Sequence, residues 1–182
     1  MSKCNPQSIL HFWFHSLRPE QWFLADKALD QQISQQFLNV TEAASKGECY
    51  EWRYSTYGRL AEIIVLDQFS RNIWRDTPRA FQQDPMALVL AQEAIQSTEY
   101  KHLTSAEKQF LLMPYMHSES TMIQKEAVAL FSQIDNPSAY KYAVLHKEII
   151  DRFGRYPHRN KILGRVSTPE EERFLLEPNS SF

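Results

Sequence analysis

Apolar positions along this chain recur at steps of three and four rather than two, and that spacing predicts helices throughout. The clearest stripe is Leu29, Ile33, Phe37, Val40 and Ala44, the inward face of a long amphipathic helix ending near Gly47. Ahead of it, residues 6–15 read as a first helix with Ile9, Leu10, Trp13 and Phe14 as its apolar patch, followed by a turn at Arg18-Pro19. A third helix is expected over about residues 57–74. Asp84 and Pro85 supply an N-cap and a proline at the first helical position for a fourth. Thr104-Ser-Ala-Glu107 has the spacing of a capping box for a fifth, which Pro114 should stop or kink. A sixth should span residues 119–134, with Ser118 as its cap and Glu119 in its first turn. Asn136-Pro137 opens a seventh that ends at Phe153-Gly154, where glycine suits the left-handed position. Thr168-Pro-Glu-Glu171 starts a short eighth toward Leu176. The fold class is all-α, about eight helices in antiparallel hairpins, packed as a bundle or a short solenoid.

Composition narrows this picture. Four glycines among 182 residues, 43% hydrophobic and 13% aromatic residues, describe a chain that buries a core rather than a disordered one. The expected organisation is one domain over residues 1–176 and a loose tail over 177–182. The longest apolar run is six residues, 86–91, against the roughly 20 that span a bilayer. No signal peptide is visible, so a cytoplasmic protein without membrane contact is expected. A pI near 6.3 argues against nucleic acid as a partner. Cys4 and Cys49 have neither metal nor disulfide spacing and read as ordinary thiols.

Charge is unevenly spread. Residues 152–165 hold four arginines, one lysine and one histidine with no acid, in a chain of formal charge −2. Gly154, Pro157 and Gly164 break the backbone there, which lets side chains converge on an anionic group that arginine forks recognise. The structural alternative is that Arg152, Arg155 and Arg159 satisfy helix carbonyls and buried acids such as Asp67 and Glu119.

The third helix adds to this. Nine of its fifteen residues from 60 to 74 are apolar and cover nearly its whole circumference, so it should be central. Asp67 and Arg71 lie four apart on the face shared by Leu60, Ile63, Ile64 and Trp74, and Gln68 and Asn72 repeat the spacing alongside. Buried charges there must be paired, either as a packing lock or as the lining of a cavity. His117 with Glu119, or His146 on the inward stripe of the seventh helix, could serve in acid–base chemistry. Among Asp67, His117, Glu119, His146 and His158 no HxH, HExxH or ExxH spacing occurs, so no metal and no cofactor are expected.

The blocks Ile9-Leu-His-Phe-Trp-Phe14, Leu66-Asp-Gln-Phe-Ser-Arg-Asn-Ile-Trp-Arg75, Ala80-Phe-Gln-Gln-Asp84, Pro114-Tyr-Met-His-Ser-Glu119, residues 152–165 and Thr168-Pro-Glu-Glu171 resemble, in order, those of the DUF924 family. The resemblance implies a tetratricopeptide-like helical fold and leaves activity unassigned. Its polar positions correspond to Asp67, Gln68, Arg71, Asn72, His117, Glu119, His146, Arg155, His158, Arg159, Asn160 and Arg165. Two departures are a single Trp22 where the family often has a tryptophan pair, and Ser-Thr-Met-Ile in place of acids after Glu119. Three functions follow from these features. They are a pocket for a small phosphorylated or carboxylated ligand, a scaffold binding a peptide or protein partner, and a His/Arg-based hydrolase or transferase.

Overall fold

Each helix starts where a short polar side chain can catch its first free N–H groups. Asn5 and Ser8 form a reciprocal box at the start of α1 (Pro6–His11), which runs on through a wide turn burying Phe12 and Trp13. Asp26 accepts from Ala28 and Leu29 N–H to open α2 (Lys27–Ser45), whose buried stripe is the expected Leu29, Ile33, Phe37, Val40 and Ala44. Ser55 caps α3 (Thr56–Ile63). The computed structural model describes residues 5–178, 180 and 181; Cys4 and parts of the expected tail lie outside them. Within that tail, Ser180 is buried and donates to the Leu175 carbonyl at 3.2 Å.

The expected third helix is not continuous. After α3 the chain widens into a π-helical turn over Ile64–Phe69, every residue of it buried, before resuming as α4 (Ser70–Ile73). Wide turns of this kind are rare and occur frequently at functional sites. Here the turn carries Asp67. Gly58 fixes the start of this element, because a methyl group there would lie 1.8 Å from the Trp52 carbonyl oxygen.

The remaining helices are α5 (Asp84–Ile95), α6 (Ser105–His117), α7 (Thr121–Phe131), α8 (Pro137–Phe153) and α9 (Pro169–Phe174). Three local expectations need correction. Pro114 does not end α6, which continues to His117 with every residue from Phe110 onward buried. Packing on all sides outweighs the roughly 3 kcal/mol that an interior proline costs. Ser118 closes α6, and the cap of α7 is Ser120. Asp84 is the first residue of α5 rather than its cap, which is Gln83. Elsewhere the signals hold: Thr104 with Glu107, Asn136, Thr168 with Glu171, and Gly154 at φ 67° all mark helix ends.

Every regular element among the described residues is helical. Sequential helices α5, α6, α7 and α8 pack as neighbours, α3 packs on α5 and α1, and α2 covers the wide turn and α4. Trp13 lies at the centre of an aromatic cluster, with Phe110 and Phe69 edge-on at 5.3 and 5.8 Å and Phe37 stacked on Phe69 at 4.9 Å. A smaller apolar cluster of Ile149, Ile150, Tyr156 and Phe174 joins the end of α8 to α9.

Candidate functional site

The wide turn delivers Asp67 to the interior with no exposure to solvent. One turn on, Arg71 donates through Nη1 to the Asp67 main-chain carbonyl at 2.9 Å and lies 2.8 Å from Oδ1. The same guanidinium grips both carboxylate oxygens of Asp84, at 2.9 and 3.0 Å. Asp84 meets a second cation, Arg159 Nη1, at 3.3 Å. From the end of α6, His117 places Nδ1 2.7 Å from Asp67 Oδ1, and Gln68 Nε2 donates to Oδ2 at 2.5 Å. Asp67 is thus held by three side chains, and a buried carboxylate is stable only when held in this way.

His117 is fixed through the backbone around it. The Tyr156 hydroxyl donates to the Met116 carbonyl at 2.5 Å, and Gln124 Nε2 donates to the Ser118 carbonyl at 2.7 Å. Glu119, two residues on, accepts from both Nη1 and Nη2 of Arg165 at 2.7 and 3.0 Å and from Tyr156 N–H at 2.9 Å. Asn160 Oδ1 in turn accepts from Arg165 Nε at 2.9 Å.

Of these groups, Asp84, His117, Ser118, Glu119 and Arg159 line a cleft of about 730 Å³, and the others stand behind them. Its polar lining includes Asp84, His117, Ser118, Glu119, Ser120 and Arg159, and its apolar lining Phe81, Pro85, Leu88, Ile123 and Leu163. Arg79, also lining the cleft, lies flat on the Trp74 ring at 3.9 Å. Arg159 is the unusual member. It is 6% exposed, its guanidinium carbon sits 4.6 Å from both the Phe81 and Tyr156 rings, and its Nε is buried without a hydrogen-bond partner.

The chain matches the family model described as "Bacterial protein of unknown function (DUF924)" over residues 9–179. It belongs to the DUF924 family. A solved structure of a protein of unknown function from Agrobacterium tumefaciens is similar to it at 33% identity, covering 94% of this chain and 96% of that one, with a TM-score of 0.89. No curated protein matches the chain.

In this DUF924 member the expected site residues separate into groups. Asp67, Gln68, Arg71, His117, Glu119 and Arg159 converge at or behind the cleft, with Arg165 and Asn160 bracing Glu119. His146 and His158 flank Tyr156, with ring centroids 5.6 and 5.5 Å from it. Asn72 and Arg155 face elsewhere. Asn72 donates to Asp30 at 2.8 Å on the α2 side, and Arg155 is clamped on Glu171 at 2.6 and 2.8 Å. Arg152 pairs with Glu170 at 2.9 Å. The arginines of the basic run therefore spread over four acids, Glu170, Glu171, Asp84 and Glu119, and of the four only Arg159 lines the cleft. Asp84 is the residue that sequence reading missed as part of the site, because an acid before a proline at a helix start is indistinguishable from a cap. Among the described residues, no group of three or more His, Cys, Asp or Glu is placed to hold a metal, and no helix is long and apolar enough to cross a membrane.

Protonation follows from burial and neighbours. Burial pushes the Asp67 carboxyl up, but Arg71 and His117 more than reverse this and hold it below the usual carboxylate range. Burial and Arg71 push the His117 imidazole down, against the pull of Asp67. The ring is therefore neutral near pH 7, donates Nδ1–H to the carboxylate, and keeps Nε2 as an acceptor. No hydrogen bond engages that Nε2 among the described residues. Burial pushes the Glu119 carboxyl up, but the Arg165 guanidinium and the Tyr156 N–H outweigh this and hold it below the usual carboxylate range, so it too is ionised.

Proposed function

We propose that this protein binds a small anionic ligand, phosphorylated or carboxylated, in the cleft beside His117. The observation that carries this reading is Arg159, a 6% exposed guanidinium in the cleft wall whose one hydrogen bond among the described residues is the 3.3 Å contact of Nη1 with Asp84. A cation desolvated to that degree gains from any anion that completes its donors. The pairing of Arg152, Arg155 and Arg165 with acids of this same chain favours a small ligand over the alternative of a tetratricopeptide-like scaffold holding a peptide along the basic run.

Thermal-shift screening against nucleotides, phosphosugars and carboxylates tests the proposal. A ligand at a hundred times its Kd should stabilise by about 2.7 kcal/mol, or about 5–10 °C for a chain of this size. Arg159→Gln should abolish the response, while Arg155→Ala, which faces Glu171, should keep it. No stabilisation by any anion would sink the proposal.

The Asp67–His117 dyad supports a second reading, acid–base chemistry on the bound anion. Asp67 fixes the tautomer that presents a basic Nε2 to the cleft, the arrangement a general base requires. Esters belong in the same screen. Product release by the wild type and not by His117→Gln is the expected mark of that activity; equal rates would remove the reading.

A further inference from the structure

We infer that the ligand of this cleft bears one negative charge, on a carboxylate joined to an apolar body, and that dianionic phosphate esters are selected against. The inference rests on the anion-binding reading above and narrows it. Three carboxylates, Asp67, Asp84 and Glu119, meet three guanidiniums, Arg71, Arg159 and Arg165, around a neutral His117. Their charges cancel. Arg71 is committed to Asp67 and Asp84 at 2.8–3.0 Å, and Arg165 to Glu119 at 2.7–3.0 Å. Arg79, the other cation lining the cleft, is paired with Glu42 at 3.2 Å, which leaves Arg159 as the buried guanidinium with a single 3.3 Å bond.

Two of the three acids also line the cleft. A ligand drawn to Arg159 must sit near Asp84, its 3.3 Å partner, and within the cleft that Glu119 also lines. A monoanion leaves this region at −1. A phosphate monoester, close to −2 at neutral pH, would face the same two carboxylates with twice the charge, and the second cation on the cleft, Arg79, is already paired with Glu42. Like charges in a half-enclosed cleft repel through a lower dielectric than water, so the second charge is penalised.

Geometry agrees with charge. Phe81 and Tyr156 lie on the Arg159 guanidinium at 4.6 Å each, so a ligand reaches it edge-on, the direction in which a planar carboxylate docks. The apolar part of the cleft wall includes Pro85, Leu88, Ile123 and Leu163. A fully polar metabolite would leave this wall unmatched, whereas an alkyl or aryl body would bury it. His117 also lines the cleft, and with Nδ1 held by Asp67 its Nε2 is the nitrogen left to accept a hydrogen bond from a ligand hydroxyl or amide.

Calorimetric titration of the full chain with 4-phenylbutyrate, 4-phenylbutyl phosphate and 4-phenylbutanol tests the inference. The carboxylate is expected to bind at least ten-fold more tightly than either of the others. In Arg159→Gln its advantage over the alcohol should vanish; should that variant not fold, the wild-type comparison alone decides. Equal or tighter binding of the phosphate ester overturns the inference and leaves the anion-binding reading standing. If neither anion binds better than the alcohol, both fall.

Discussion

Acidification from pH 6.5 toward pH 4 is expected to remove most of the stability of this protein. In the unfolded chain each imidazole takes up a proton near pH 6.5. In the fold, burial followed by the neighbouring His117 pushes His146 down to about 3, and burial followed by Arg159 pushes His158 down to about 4. Burial and Arg71 lower His117 as well. Between pH 6.5 and those values the unfolded state holds more protons than the native state, so the unfolding free energy falls as pH falls. Each excess proton contributes about 1.4 kcal/mol per pH unit, and two of them near pH 5 give a slope of about 2.7 kcal/mol per unit. Above pH 6.5 neither state binds these protons and the curve is flat. The carboxylates act later. Glu119 and Asp67 are held ionised below their ordinary ranges and give up their contribution only as pH falls beneath those ranges. Urea midpoints at pH 8, 6 and 4.5 check this, and a stability unchanged down to pH 4.5 would refute it. His146→Leu should flatten the slope by about one proton's share.

Asp67→Ala is expected to lower the unfolding free energy by about 3 kcal/mol, the lower end of what breaking a buried ion pair costs. The lower end applies because Arg71 keeps its two bonds to Asp84 and is 19% exposed at its side chain. The loss has two sources. Arg71 retains a buried charge facing a carboxylate that is gone, and His117 loses the acceptor for its Nδ1–H. Asp67→Asn keeps the shape and an acceptor oxygen, so it should recover part of the stability. The imidazole nitrogen shifts of His117 report the second effect directly. A change under about 1 kcal/mol in Asp67→Ala, with the His117 tautomer unaltered, would show that the carboxylate holds neither neighbour.

What was legible in the sequence follows from distance along the chain. Caps such as Asn136 and Thr168, and the α2 stripe, are decided within a few residues, and local reading finds them. Asp67 and Arg71 were readable as a pair because a single helical turn separates them. His117 comes 50 residues after Asp67, and Arg159 comes 75 after Asp84, and no spacing rule reaches that far. The basic run misled in one respect. It contains no acid, but Glu170 and Glu171 at the start of α9 fold back on Arg152 and Arg155. Those acids read as favourable first-turn residues for their own helix, and they are also counter-ions for the preceding loop. The wide turn at Ile64–Phe69 has no compositional signal, since its residues suit an ordinary buried helix equally well.

The long separations across the cleft also set an order of assembly. Arg71 and Asp84, 13 residues apart, can meet soon after both are synthesised; Arg159 and Arg165 arrive only after α8 is complete. Closing such long loops is slow and is rewarded late. Until the last quarter of the chain has docked, Asp84 and Glu119 face the cleft without two of their three guanidinium partners. The carboxyl-terminal segment thus both completes the cleft wall, through Arg159 and Leu163, and brings the guanidiniums that offset the charge of Asp84 and Glu119.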